Sequence, residues 1–256
     1  MATAGIWHVS TSDDAAVLKV VAPGEGPSRW PAARDASHPY YWRREPLAYS
    51  SGLLEPFGPP VCRAICERAD GSVALWLADG GDPPAWTPER LREAAVRLGR
   101  AQAETAGIDG AGVLTRGFLR EYLRLHDVPA DESVLARLDA VPHTLCHNDF
   151  HPDNVLADGS VIDWAYCGLG APGLDAGVLV ADGLADQAFS AELAGEVAAA
   201  VWAGYCEGLG GAFDEDDVRF AFARGTALRL SWLPRGQKPA WDATIDFLQR
   251  LASETV

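Results

Sequence analysis

Lysine is almost missing from this chain: Lys19 and Lys238 stand alone against 19 arginines. Acidic side chains outnumber basic ones 36 to 21, for a net charge of −15. The clustered positive charge that a nucleic acid or an anionic lipid surface demands is therefore lacking, and neither is expected as a partner. Long hydrophobic runs are lacking too. Val197 to Tyr205 and Val178 to Ala181 are each broken by Gly or a charge, well short of the roughly 20 residues that span a bilayer. The opening MATAGIWHVS has neither the basic flank nor the apolar core of a secretory signal, so a cytoplasmic location is the expectation. Five cysteines, an odd number scattered through the chain, do not form a disulfide framework and read as reduced, buried thiols. Cys62 and Cys66 lie four apart in VCRAICER, a string of strand composition with no nearby His, which favours structural thiols over a zinc site.

What is present is a globular composition: 48% of 256 residues are apolar, enough for a substantial core in one large domain or two smaller lobes. GIWHVSTSDDAAVLKVVAP holds two β-rich runs around a polar turn at Ser10 to Asp14, a hairpin signal. VCRAICE and SVALWLAD form a second pair around Arg68 to Gly71, where Ala-Asp-Gly is turn chemistry. Between them Tyr41, Glu45, Leu47 and Ala48 recur at helical spacing, with Pro46 tolerable only near a first turn or a kink. A β-β-α-β-β unit is thus expected over residues 1–79. Past Pro83-Pro84 the chain changes character. TPERLREAAVRLGRAQAETA carries an N-cap Thr87, an acidic first turn and apolar residues at i, i+3 and i+4, so residues 80–256 are expected to be a mainly helical second lobe. Short strands are expected at Thr144 to Cys146 and Ser160 to Asp163.

Those two runs bracket the densest polar cluster in the chain, HNDFHPDN from His147 to Asn154. A polar loop followed by a strand ending in an acid suits a magnesium-phosphate site, which needs one carboxylate to orient an attacking hydroxyl and an amide plus a second carboxylate to hold the metal.

HNDFHPDN resembles the H-G-D-x-H-x-x-N catalytic loop of the aminoglycoside phosphotransferase and choline kinase families, and VIDW resembles their metal-binding I-D-W/F segment nine residues later. The resemblance implies an α+β, two-lobed protein-kinase-like fold with a small antiparallel sheet and a mainly helical second lobe. It implies Asp149 as catalytic base, Asn154 and Asp163 as Mg2+ ligands, His147 as a loop brace and a matching position for His151. Upstream, Lys19 in VLKVV is similar to the strand lysine that contacts the α- and β-phosphates of ATP or GTP, with Glu45 as its helix partner. Trp76, Leu77, Ala78 and Asp79 fall where the family's adenine-binding hinge lies. Asp175 in GAPGLDAGV matches an aspartate read as structural support, while Asp153 reads as a solvated loop residue. One departure is that no Gly-rich loop precedes Lys19, since Gly5 is the only glycine before it.

The resemblance therefore implies a kinase moving a γ-phosphate to a hydroxyl of a small molecule. The carboxylates between Asp182 and Asp217 suit an amine-bearing acceptor such as an aminoglycoside or amino alcohol. The alternatives are a neutral sugar or nucleoside acceptor, a pseudokinase-like binding protein without the Gly-rich loop, and a hydrolase in which His147, His151 and Asp149 hold zinc. Trp202, Tyr205, Trp232 and Trp241 could box a cation but read as core at helical spacing, and Asp214 to Asp217 reads as a helix start.

Overall fold

The computed structural model describes residues 3–10, 12, 14–24, 32–110, 112–129, 131–228, 230, 233 and 239–253, the side chains of 239–241 excepted. β-branched and small apolar residues extend the first strands, β1 (Thr3–Ser10) and β2 (Ala15–Val21), which pair antiparallel. β3 (Cys62–Glu67) and β4 (Val73–Ala78) form the second hairpin. Its turn is fixed by Asp70, whose carboxylate accepts from the Ser72 amide at 3.0 Å, and by Gly71 at φ 80°. Pairing of β2 with β4 makes one four-stranded sheet in the order β1-β2-β4-β3.

Helix α1 (Arg44–Ser51) lies between the hairpins. Pro46 falls in its first turn, where backbone N–H groups have no intrahelical acceptor to lose. The helix begins later than the spacing suggested: Tyr41 lies outside it, in an isolated parallel bridge with Ala33.

After β4 the chain crosses to α2 (Pro88–Glu104), whose N-cap Thr87 accepts from the Arg90 amide at 3.3 Å. α3 (Phe118–Leu125), α4 (Glu132–Ala140), α5 (Leu174–Ala185), α6 (Ala194–Leu209), α7 (Glu215–Leu228) and α8 (Pro239–Ser253) follow. α5 is buried on nearly all sides, which its sequence LDAGVLVADGLA allows. α2 and α6 approach so closely that a Cβ at Gly99 would collide with the Tyr205 carbonyl. The main core joins both lobes: Phe57 beyond α1 packs with Leu91 and Leu98 of α2, Trp164, and Leu179 of α5.

The expected strand at Ser160 to Asp163 is not one. Only Val161 pairs, in an isolated antiparallel bridge to Val155. Asp158 accepts from the Ser160 amide at 2.8 Å and Leu156 N–H donates to the Ser160 carbonyl at 2.9 Å, so a tight turn uses up the residues that would extend a ladder. Asp163 then adopts φ 62° and opens a 3₁₀ turn, Trp164–Tyr166. The partner of β5 (Thr144–Cys146) is instead β6 (Gly168–Gly170), whose Gly-Leu-Gly composition carries no strand signal. The cysteines also differ among themselves. Cys146 and Cys167 are buried, Cys62 and Cys206 half-buried and Cys66 exposed on the edge strand β3; all five are free thiols.

Candidate active site

Lys19 stands in the middle of β2, opposite Ile6 of β1 and Leu75 of β4. Strand alternation gives these three one face of the sheet. On that face Lys19 is only 4% exposed, and its ammonium lies 2.7 Å from Glu45 Oε2 and 2.7 Å from Asp163 Oδ1. Glu45, in the first turn of α1, is 1% exposed, so it is no solvated helix face. Asp163 keeps its side chain 39% exposed. Burial opposes the lysine's charge, but the two carboxylates hold its pKa above the ordinary value. Burial raises Glu45 while Lys19 pulls it back. For Asp163 burial is outweighed by Lys19, and its carboxyl stays below the usual range. One buried cation between two carboxylates leaves an excess negative charge, the electrostatic setting for a divalent ion.

The loop His147 to Asn154 lies against this triad. His147 is fully buried, T-shaped to Phe150 and tilted at 57° against Trp164, with ring centroids 4.5 Å apart. Burial lowers its pKa to about 4, so it is neutral, and its Nε2–H donates to the Ile162 carbonyl at 2.8 Å. That bond ties the loop to the residue before Asp163. Asn148 occupies the position where the family motif has Gly. Its φ of 64° is the left-handed conformation that Gly takes freely and Asn tolerates better than other side chains. Asp149 follows with a side chain 33% exposed, 4.0 Å from His151 Nε2. Tyr166 is near enough that, after burial, the Asp149 charge adds to raising its phenol above the ordinary value. Asn154 donates Nδ2 to the Asp149 carbonyl at 2.9 Å, which leaves its amide oxygen as the remaining side-chain acceptor. Asp153 is exposed.

Beneath the loop Asp175 is buried at the start of α5. It accepts from the His147 amide at 2.7 Å, the Asn148 amide at 2.9 Å and Gln102 Nε2 at 3.0 Å. Burial raises its pKa to about 6, against the pull of those donors. Gln102 in turn accepts from the Tyr205 hydroxyl. Asp175 was expected as structural support, but its backing by Gln102 and Tyr205 was not read from the sequence, although Gln102 is the one polar residue on the stripe Leu91, Ala95, Leu98, Gln102. Arg44 was missed as well: buried beside Glu45, it donates to the carbonyls of Val113, Ala36 and His38, so it pins α1 to the segment before α3.

Of the residues expected at the hinge, Leu77 is the one within β4 that shares the Lys19 face, as it pairs with Val17. Trp76 and Ala78 point to the other face, so a nucleotide on the Lys19 face would meet their backbone only. The Ala78 amide already donates to the Val61 carbonyl at 2.9 Å, and Asp79 caps the Gly81 amide at 2.9 Å.

The acids of α5 to α7 are dispersed. Asp182 is buried, Glu207 pairs with Arg92, Glu215 with Arg219 at 2.6 Å, and Asp217 with Arg137 at 3.6 Å. Asp214 accepts from the Asp216 and Asp217 amides and starts α7. Tyr205 is core, and Trp202 packs against it under Arg219. Trp232 and the Trp241 side chain lie outside the described residues.

A model of the phosphotransferase enzyme family matches residues 6–220. No curated protein matches the chain. Among solved structures it is similar to the amicoumacin kinase hAmiN in complex with AMP-PNP, Ca2+ and Ami, at 16% identity over 98% of this chain and 85% of that one, with a TM-score of 0.59. It is similar to an aminoglycoside phosphotransferase from Alicyclobacillus acidocaldarius at 14% identity over 100% and 89%, TM-score 0.56. A third is the aminoglycoside-3'-phosphotransferase of type VIII, at 23% identity over 88% of each chain, TM-score 0.53. At such identities the likeness establishes the fold, two-lobed and protein-kinase-like.

Proposed function

The chain belongs to the phosphotransferase enzyme family, and from that membership and the Lys19–Glu45–Asp163 triad we propose that it moves the γ-phosphoryl group of ATP or GTP, with Mg2+, to a hydroxyl of an amine-bearing small molecule. The carrying observation is the triad: two ion pairs at 2.7 Å join a β2 lysine to α1 and to a residue 144 positions downstream. Such a contact aims an ammonium at phosphate oxygens beside a candidate metal ligand. We place the lobe boundary between β4 and α2, with the nucleotide on the Lys19 face of the sheet.

The donor set fits a magnesium ion. Asn154 offers an amide oxygen, Asp163 a carboxylate whose Oδ1 is engaged by Lys19, and both are hard oxygen ligands. Among the described residues no three His, Cys, Asp or Glu side chains converge as a metal cage. Phosphate and water would supply the ion's other ligands, as they commonly do for Mg2+. When bound, the ion neutralises phosphate charge. Lys19 binds the phosphates of the donor, and Glu45 keeps the ammonium aimed. Asp149 accepts the hydrogen bond of the acceptor hydroxyl and orients its oxygen toward phosphorus, with the proton passing to the carboxylate as the new P–O bond forms and the bond from the γ-phosphorus to the bridging oxygen breaks, releasing ADP or GDP. His147 and Asp175 hold the loop so that this orientation persists.

The amine-bearing acceptor is supported by the net charge of −15 and by the aminoglycoside kinases among the similar structures. A neutral sugar or nucleoside is the second reading, favoured by the arginine partners of Glu207, Glu215 and Asp217. ATP or GTP consumption, followed by phosphorus NMR of the product, over a panel of aminoglycosides, amino alcohols and sugars tests the proposal. Acceptor-dependent turnover that vanishes without Mg2+ is expected, and nucleotide hydrolysis indifferent to every acceptor would overturn it. An acceptor KM that rises with salt favours the amine, while one that stays flat favours the neutral compound.

A further inference from the structure

A cavity of about 240 Å³, lined by no residue of the four-stranded sheet, opens between the first turns of α2 and the hairpin of residues 155–161. Phe57, Trp86, Leu98, Phe150, Val155 and Val161 form its apolar walls. Two features set it apart from a packing gap. The indole N–H of Trp86 is buried without a hydrogen-bond partner, although such donors are ordinarily satisfied. At its mouth Arg90, Glu93 and Arg97 project from successive turns of α2. None of the three forms an ion pair among the described residues, although eight other arginines do. Arg90 donates to the Ala85 carbonyl and Arg97, at 3.4 Å, to the Asp158 carbonyl. The Asp158 carboxylate accepts from the Ser160 amide and hydroxyl and lies outside the cavity lining.

We propose that this cavity is a second ligand site for a small aromatic carboxylate. Its volume lies below the roughly 300–1,000 Å³ of sites for drug-sized ligands, which limits the occupant to one or two fused rings. Of the side chains that line the cavity, Arg90 and Arg97 carry guanidinium groups and Glu93 the one carboxylate, a balance that favours an anion, and a planar carboxylate matches the guanidinium fork. The unspent Trp86 N–H supplies a donor for an acceptor on the ring or its carboxylate. Phe150, between Asp149 and His151, and Val155, beside Asn154, belong at once to the cavity wall and to the catalytic loop. An occupant therefore touches the back of the loop whose front carries Asp149.

Isothermal titration calorimetry on the full chain with 2-naphthoate, 2-naphthamide and 2-naphthylamine tests the assignment without reference to turnover. 2-Naphthoate should bind, with ADP–Mg2+ already saturating, at least about tenfold more tightly than the amine, a preference set by the arginines. Arg97→Ala, a surface change, should erase most of that preference. Ala94→Phe, which fills the cavity from α2, should abolish binding, with thermal melting as the check that it folds. Displacement of 2-naphthoate by ADP would place it in the nucleotide cleft and overturn the inference. So would equal binding of amine and carboxylate, binding unchanged in both variants, or no heat with any of the three compounds. Because binding is read directly, failure here leaves the phosphotransfer reading standing, and loss of turnover would leave this site standing.

Discussion

Replacing Lys19 by methionine should destabilise the protein in a pH-dependent way. The substitution is close in volume, so little cavity is made, and the perturbation is electrostatic. Glu45, 1% exposed, and Asp163 each lose a cation 2.7 Å away and are left facing one another. Removing one partner of a buried ion pair typically costs about 3–5 kcal/mol. The half-open side of Asp163 moderates this, so about 3 kcal/mol is expected at pH 8. Glu45 offers an escape. Burial already raises its carboxyl, and without Lys19 only the Trp164 amide opposes that rise. A carboxyl with a raised folded-state pKa binds its proton more tightly in the native than in the unfolded state. Its protonation therefore stabilises the fold as pH falls, by about 1.4 kcal/mol per unit of pKa difference. Lys19 itself, with its pKa raised, stays charged throughout in the wild type. The gap between Lys19→Met and wild type should thus shrink from about 3 kcal/mol at pH 8 to about 1–2 kcal/mol at pH 5. Urea unfolding of both proteins at the two pH values measures it. A gap that is absent at pH 8, or that does not narrow at pH 5, would refute the reasoning.

Asp149→Asn should slow turnover by about 10²-fold or more with nucleotide affinity nearly unchanged, since it removes the orienting carboxylate alone. Single-turnover kinetics beside nucleotide titration would check this, and near-normal turnover would remove Asp149 from its role. Asp163→Asn should weaken Mg2+-dependent nucleotide binding, read by titration with and without the ion; an unaltered Mg2+ dependence counts against it. Asp175→Asn keeps one acceptor oxygen, so at best one of the His147 and Asn148 amides is left facing an NH2 group. A loss of about 1–3 kcal/mol follows at pH 7. Because the Asp175 pKa is raised to about 6, its protonation stabilises the wild type from about pH 6 down to about pH 4, and the Asn protein lacks that gain. The difference between the two should therefore widen on acidification, which thermal melts from pH 7 to pH 4.5 would show or deny.

Local chemistry fixed much of this in the sequence. The two hairpins, the N-cap at Thr87 and the amphipathic α2 follow from turn residues and periodicity, which act within a few positions. Lys19 stood out because an isolated lysine in an arginine-rich chain sits in an apolar strand, and the spacing of Asp149, Asn154 and Asp163 is carried by contiguous motifs. Whatever depends on partners far apart in the chain had no such signal. The resemblance pointed to Glu45 as the partner of Lys19, but only tertiary packing decided that the pair is buried, that β5 pairs with a Gly-Leu-Gly segment, and that Asp163 turns left-handed instead of extending a strand. Gln102 was visible as a polar residue on an apolar stripe, but its purpose became definite only when Asp175 and Tyr205 were brought to it from 73 and 103 positions away. The arginine partners of Glu207, Glu215 and Asp217 belong to the same class. Charge content is written in composition, while whether a carboxylate is free to meet a ligand depends on which helix the fold lays beside it.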